Sequence, residues 1–174
     1  ARIRAALERA RTRKDSRAPP EIPPKEGESP TEYALRIDRA KEDHRANLAR
    51  ATAADYREAL VLSELLLEVQ LDSELHRLAA KAAHGLGEHA SGHRHRAMAS
   101  LVKGLDALER GDDELAERRF RSAFKDDEET ARNARTAALL IRFFADKREL
   151  LKKESRALRY LRAFPELAEA LGAS

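Results

Sequence analysis

Apolar residues along this chain recur at helical rather than strand spacing. The clearest case runs from Tyr56 through Ala59, Leu60, Ser63, Leu66 and Leu67, the small Ser63 completing the face, and upstream of it Tyr33, Leu35, Ile37, Ala40 and Leu48 follow a strong helix start. Spacings of three and four place one face of a helix against a core, whereas Val and Ile are sparse here and almost never alternate with polar residues. Ser29-Pro30-Thr31-Glu32 supplies a helix start, with Ser29 as N-cap, Pro30 at the first helical position and Glu32 placed to return a bond to the cap. The pattern therefore predicts a helix from Ser29 toward Leu48, a turn in the small-residue stretch Ala51 to Ala54, and a second helix over about Asp55 to Gln70.

Asp72-Ser73-Glu74 predicts the cap of a third helix ending near His84, where Gly85 and Gly87 stop it. Residues 85–93 read as a loop, and a fourth helix is expected over roughly Arg94 to Arg110, ending at Gly111. Asp112 or Asp113 caps a fifth that carries Leu115, Ala116, Phe120, Ala123 and Phe124 inward. The acidic run Asp126 to Glu129 closes it and opens a sixth with Ala134, Ala137, Ile141 and Phe144 on its inner face. A seventh holds Leu150, Leu151, Ala157, Leu158 and Leu161, and Pro165 begins a short closing helix with Leu167, Ala168 and Leu171. The fold class implied is all-α, built from stacked antiparallel helical hairpins.

The N-terminal stretch differs in kind. Residues 1–17 carry Arg2, Arg4, Arg9, Arg11, Arg13, Lys14 and Arg17 against only Glu8 and Asp15, and read as a basic helix or tail. Four prolines between Pro19 and Pro24 make residues 18–28 a linker, because proline cannot continue a helix and favours extended geometry. Residues 29–174 then form the helical-hairpin domain, with the boundary near Ser29. The chain opens on Ala1, with Arg2 and Arg4 and no apolar signal core, as expected of a piece of a longer protein.

One stretch carries a family resemblance. Ala97-Met-Ala-Ser-Leu-Val-Lys-Gly104-Leu-Asp-Ala107-Leu-Glu-Arg-Gly111-Asp112-Asp-Glu-Leu-Ala116-Glu-Arg-Arg-Phe120-Arg-Ser-Ala123, with Asp127 a little beyond, resembles a tetratricopeptide repeat (TPR). Gly104 and Ala116 sit where two helices of a hairpin approach closely, Gly111 with Asp112 makes the turn and next cap, and Phe120 with Ala123 packs onto the next repeat. Ser100 and Lys103 depart from the large apolar residues usual there, and Glu128 replaces the usual terminal proline. Ala54-Asp55-Tyr56-Arg57-Glu58-Ala59-Leu60 is a weaker echo, and Ala145 through Ala157 a more degenerate one. The resemblance implies a TPR-like α-solenoid, a short right-handed superhelix whose concave surface holds a partner peptide or helix. It places Ser100, Lys103, Arg132, Asn133 and Arg135 as candidate partner-binding residues. An irregular helical bundle is the alternative.

Composition narrows the chemistry. Of 174 residues, 34 are basic and 31 acidic, a net charge of +3 spread through a dense mixture, which is no global nucleic-acid footprint. With no cysteine, disulfides and thiolate zinc sites are excluded, and a reducing, cytoplasmic compartment is expected. The longest apolar runs, Leu60 to Val69 and Thr136 to Phe144, are broken by Glu64 and Arg142 and too short to span a bilayer.

The one cluster of ligand-type side chains, His84, His89, His93 and His95 beside Glu88, lacks His-Glu-x-x-His order and has Arg94 and Arg96 as neighbours, so it reads as a solvated polar loop with no metal. Gly85, Gly87 and Gly92 form neither phosphate-binding nor dinucleotide spacing, carboxylates such as Glu117 sit four residues from an arginine such as Arg121, and no nucleophile turn occurs. The chain is thus expected to be a non-enzymatic protein–protein interaction module without cofactor. Two alternatives stand beside it. One is a nucleic-acid-associated protein using residues 1–17 and the basic region from Lys147 to Arg162. The other is a structural bundle that pairs with a second copy through Leu167 and Leu171.

Overall fold

The computed structural model describes residues 1–16, 19, 21–127 and 155–162. All regular structure among them is helical: α1 (Arg2–Asp15), α2 (Pro30–Leu67), α3 (Ser73–Gly85), α4 (His89–Glu109), α5 (Asp113–Asp126) and a short α6 (Leu158–Arg162). The main contacts join chain neighbours, α1 with α2, α2 with α3, α3 with α4 and α4 with α5, while α6 returns to lie on α5. Helices laid down in series are the arrangement that short connections enforce. The expected sixth helix, the first part of the seventh and the segment after Arg162 lie outside the described residues, and what is described of the seventh is a turn at Arg156 and Ala157 with helix only from Leu158.

α2 is one helix of 38 residues, not two. The turn expected at Ala51 to Ala54 does not form, because small is not the same as helix-breaking: alanine is the best helix former and the segment holds neither Gly nor Pro. Thr52, its single β-branched residue, donates its hydroxyl to the Leu48 carbonyl at 2.7 Å and stays within the helix. The start of α2 is the capping box its sequence predicts, with Glu32 N–H donating to Ser29 Oγ at 3.3 Å and Ser29 N–H donating to Glu32 Oε2 at 3.0 Å. On the second half of α2, Ala59, Leu60, Ser63 and Leu67 are buried as expected, but Leu66 is 43% exposed.

The loop expected over residues 85–93 shrinks to three residues. Gly87 takes φ 77° and turns the chain, and α4 begins at His89, so Gly92 and His93 are helical rather than loop. Asp72 caps α3 by accepting from the N–H groups of Glu74 and Leu75 at 2.7 and 3.0 Å, and Asp112 rather than Asp113 caps α5, accepting from Leu115 N–H at 3.0 Å.

Two cores result. In the first, α4 and α5 close as a hairpin around Met98, Leu101, Leu105, Ala116, Phe120 and Ala123, and Ala157 and Leu158 seal it. Gly104 admits the fully buried Phe120 ring against the α4 backbone, and Gly111 makes the turn at φ 79°, so the features that carry the TPR resemblance act as tight packing and turn. In the second, Ile3, Ala6 and Leu7 of α1 pack with Ala59, Leu60 and Leu67 of α2 and Leu75, Leu78, Ala79 and Ala82 of α3. The boundary near Ser29 therefore separates α1 from α2 in sequence but not in packing.

Candidate functional site

Four arginines of α1 point at carboxylates of the helices beneath it. Arg9 Nε donates to Asp55 Oδ1 at 2.9 Å and Arg13 Nε to Asp55 Oδ2 at 2.8 Å, so both oxygens of one carboxylate are clamped. Arg9 also donates to Glu58 at 2.6 Å, Arg2 reaches the same glutamate at 3.3 Å, and Arg4 reaches Glu74 on α3 at 3.3 Å. Asp55 is only 8% exposed. Burial opposes its ionisation, but the hydrogen bonds from Arg9 and Arg13 outweigh that and hold its carboxyl below the usual range. The helix that reads in sequence as a free basic segment thus meets carboxylates on α2 and α3, and its charge is largely engaged within the chain.

The segment after α1 folds back along α2. Tyr33 donates its hydroxyl to the Ile22 carbonyl at 2.9 Å, and Arg36 donates to the Pro23 carbonyl at 2.9 Å and to both oxygens of Glu28 at 2.7 Å. Arg36 and the backbone N–H of Lys25 hold the Glu28 carboxyl down at about 2. Between this strap and the helix lies a cleft of about 620 Å³, lined by Pro19, Ile22, Pro23, Tyr33, Ile37 and Lys41 among others.

The histidines expected as one solvated cluster separate into two sets. His95 turns inward and meets His76 of α3, Nδ1 to Nδ1 at 3.0 Å, with both rings buried. An imidazole N–H can donate only to a bare nitrogen, so at least one of the two Nδ1 atoms carries no proton. Burial, then the neighbouring His95, pushes His76 down to about 3, and burial lowers His95 as well, against the pull of Glu64 3.6 Å away. His76 is not among the residues the sequence pattern singles out, although its spacing to Ala79, Ala80 and Ala83 puts it on the buried face of α3.

The second set lies at the surface, where α3 meets α4. His84 accepts from Arg96 on Nε2 at 2.7 Å, and since arginine only donates, the His84 proton sits on Nδ1, 3.3 Å from Nδ1 of His89. The His93 ring stands edge-on to His84 at 5.4 Å between centroids. Burial and the Arg96 charge lower the pKa of His84. Among the described residues no group of three or more His, Asp or Glu is arranged to hold a metal ion.

Of the candidate partner-binding residues, Ser100 is half-buried and Lys103 exposed on α4, and Lys103 makes no ion pair among the described residues. Arg132, Asn133 and Arg135 lie outside the described residues. A further exposed feature is aliphatic: Val61 (44%), Leu65 (54%) and Val69 (70%) succeed one another at intervals of four from the last turns of α2 into the turn beyond it. No described helix is long and apolar enough to cross a membrane. No family model matches this chain, and no curated protein or solved structure matches it.

Proposed function

We propose that this chain is a protein–protein interaction module, a TPR-like adaptor or scaffold that holds a peptide or helix of another protein. The observation that carries the reading is the aliphatic stripe of Val61 and Leu65 on α2 and Val69 in the turn after it. Isolated exposed aliphatics are ordinary, but a row at intervals of four, which begins on the side of α2 away from Ala59, Ser63 and Leu67 and continues into the turn, keeps apolar area in water unless a partner covers it. Lys103, exposed on the first helix of the α4–α5 hairpin, supplies a second contact point where the TPR resemblance expects a partner surface. The pairing of α1 arginines with Asp55, Glu58 and Glu74 weighs against the nucleic-acid alternative, since phosphate would have to outcompete these carboxylates.

The test is affinity capture with the full chain as bait, run in parallel with Leu65→Glu and Lys103→Glu variants after circular dichroism has matched their helix content. A protein retained by the parent and lost by either variant supports the reading and locates the contact. Retention indifferent to both variants, or retention of nucleic acid alone, overturns it. Light scattering on the same samples identifies a second copy as the occupant if the parent is dimeric and Leu65→Glu is not.

A further inference from the structure

Large aliphatic side chains left in water gather at one place. Of the five large hydrophobic residues that are exposed among the described ones, four fall between Val61 and Val69, and the fifth, Leu35, lies alone near the start of α2. Val61, Leu65 and Val69 form the row, and Leu66, also exposed, widens it on one side. α2 ends at Leu67, yet Glu68 N–H donates to the Glu64 carbonyl and Gln70 N–H to the Leu66 carbonyl, each at 3.1 Å, so the helical register carries through Val69. At about 1.5 Å of rise per residue the row is roughly 12 Å long, about two turns of a helix laid against it.

The other edge of the row is acidic. Glu64 and Glu68 stand three residues after Val61 and Leu65, which on a helix places them together along one side of it. Both are exposed and neither is neutralised. Glu68 makes no ion pair among the described residues, and the basic group beside Glu64 is His95 Nε2 at 3.6 Å, which burial keeps uncharged at neutral pH. No Lys or Arg occurs between Arg57 and Arg77, and those two are already engaged, Arg57 with Glu88 and Arg77 with Glu74, each at 2.7 Å. The row therefore has one apolar edge and one edge of uncompensated carboxylates.

We propose that the occupant of this row is an amphipathic helix of a partner protein, with aliphatic residues at intervals of three and four and a line of Lys or Arg along one edge only, set against Glu64 and Glu68. The proposal rests on the reading of the chain as an interaction module and names the partner's chemistry. Aliphatic contact supplies affinity, and the charged edge selects the partner and fixes the side on which its cations lie. A second copy of this chain fits poorly. Antiparallel pairing of two such rows sets the Glu64 and Glu68 edge against its own image, and parallel pairing offers it no cation. An anionic lipid surface meets the same repulsion.

The probes are three synthetic helical peptides of about five turns, with one leucine row and with Lys, Gln or Glu along the same edge, titrated into the full chain by fluorescence anisotropy. The Lys-edged peptide binds on the order of ten-fold tighter than the Glu-edged one, with the Gln-edged peptide between them, and the spread shrinks as salt rises. Glu64→Lys/Glu68→Lys reverses the order. Asp38→Lys/Glu42→Lys makes the same change in net charge at exposed positions on the first half of α2 and keeps the parent order. Leu65→Ser weakens all three peptides alike. All these positions are exposed, and circular dichroism matches each variant to the parent before titration. An order unchanged in Glu64→Lys/Glu68→Lys, or no binding of any peptide to the parent, overturns the proposal. So does a parent that light scattering finds dimeric and Leu65→Ser makes monomeric, since the occupant is then a second copy. The proposal and the module reading fail separately. Peptide binding that ignores edge charge but is lost in Leu65→Ser removes the basic edge and leaves the module, whereas capture indifferent to Leu65→Glu and Lys103→Glu removes the module whatever order the peptides show.

Discussion

Cδ1 of Phe120 lies 2.7 Å from the point where a Cβ on Gly104 would stand, so the buried ring rests on bare α4 backbone. A methyl group there has to push the phenyl ring away, and α5 with it. Gly104→Ala gains a few tenths to about 1 kcal/mol of helix propensity and loses about 1–3 kcal/mol to overpacking, so net destabilisation is expected in thermal or urea unfolding. Gly104→Ala combined with Phe120→Leu should cost less than the two single changes summed, because the smaller side chain leaves room for the methyl. Strict additivity would show that the close approach does not govern the hairpin.

The His76 and His95 pair makes stability pH-dependent above the range where carboxylates titrate. His76 is held near 3 and His95 is also lowered, while both return to about 6.5 when the chain unfolds. The unfolded chain therefore binds more protons than the folded one below pH 6.5, and stability present above that pH is lost as pH falls toward 3. Each excess proton sets a slope of about 1.4 kcal/mol per pH unit. Glu28 and Glu74, held near 2 from 4.5, add their own loss only below about pH 4.5. The window from pH 6.5 to 5 isolates the histidines. Melting temperature should drop through it in the parent, and drop less in His76→Gln, which keeps a polar side chain without the titration. A parent curve flat between pH 7 and 5 would exclude a buried neutral pair.

Much of the fold was legible because its signals are local. Asp72, Asp112 and Ser29 cap helices as their sequences state, and Gly111 turns the chain where the repeat resemblance places a turn. The departures share one cause. Ala51 to Ala54 and residues 85–93 suggest turns by their small or Gly-containing composition, yet alanine propagates a helix, and Gly92 is tolerated inside α4 because the His84 ring occupies the space beside it. The candidate site was less legible. That the α1 arginines meet Asp55, Glu58 and Glu74 depends on pairs 42 to 70 residues apart, which no periodicity reveals. The amphipathic spacing of Ile3, Ala6, Leu7 and Ala10 was the available signal, outweighed by the count of basic residues around it.

Arg36 ties the proline-rich strap to the first half of α2, and this tie predicts a local effect on dynamics. Its guanidinium reaches the Pro23 carbonyl and both Glu28 oxygens, and the pair is shielded, with 28% and 10% of the two side chains exposed. With the strap in place, Tyr33 and Ile37 are half-buried, whereas Leu35 on the opposite side of the helix is 67% exposed. A helix end of several turns with so little apolar cover is marginal by propensity alone, so it depends on the Ser29 cap and on the strap together. Arg36→Gln should raise amide hydrogen exchange several-fold through the first turns of α2 and leave α3, α4 and α5 unchanged. Because Glu28 stays ionised down to about pH 2, the tie should survive moderate acid, and parent exchange in these turns should track only the intrinsic pH dependence between pH 7 and 4. Ser29→Ala should accelerate the same amides by a similar route, with about 0.5–2 kcal/mol of local stability lost. Exchange unchanged in Arg36→Gln but raised in Ser29→Ala would assign the order of this segment to its cap alone.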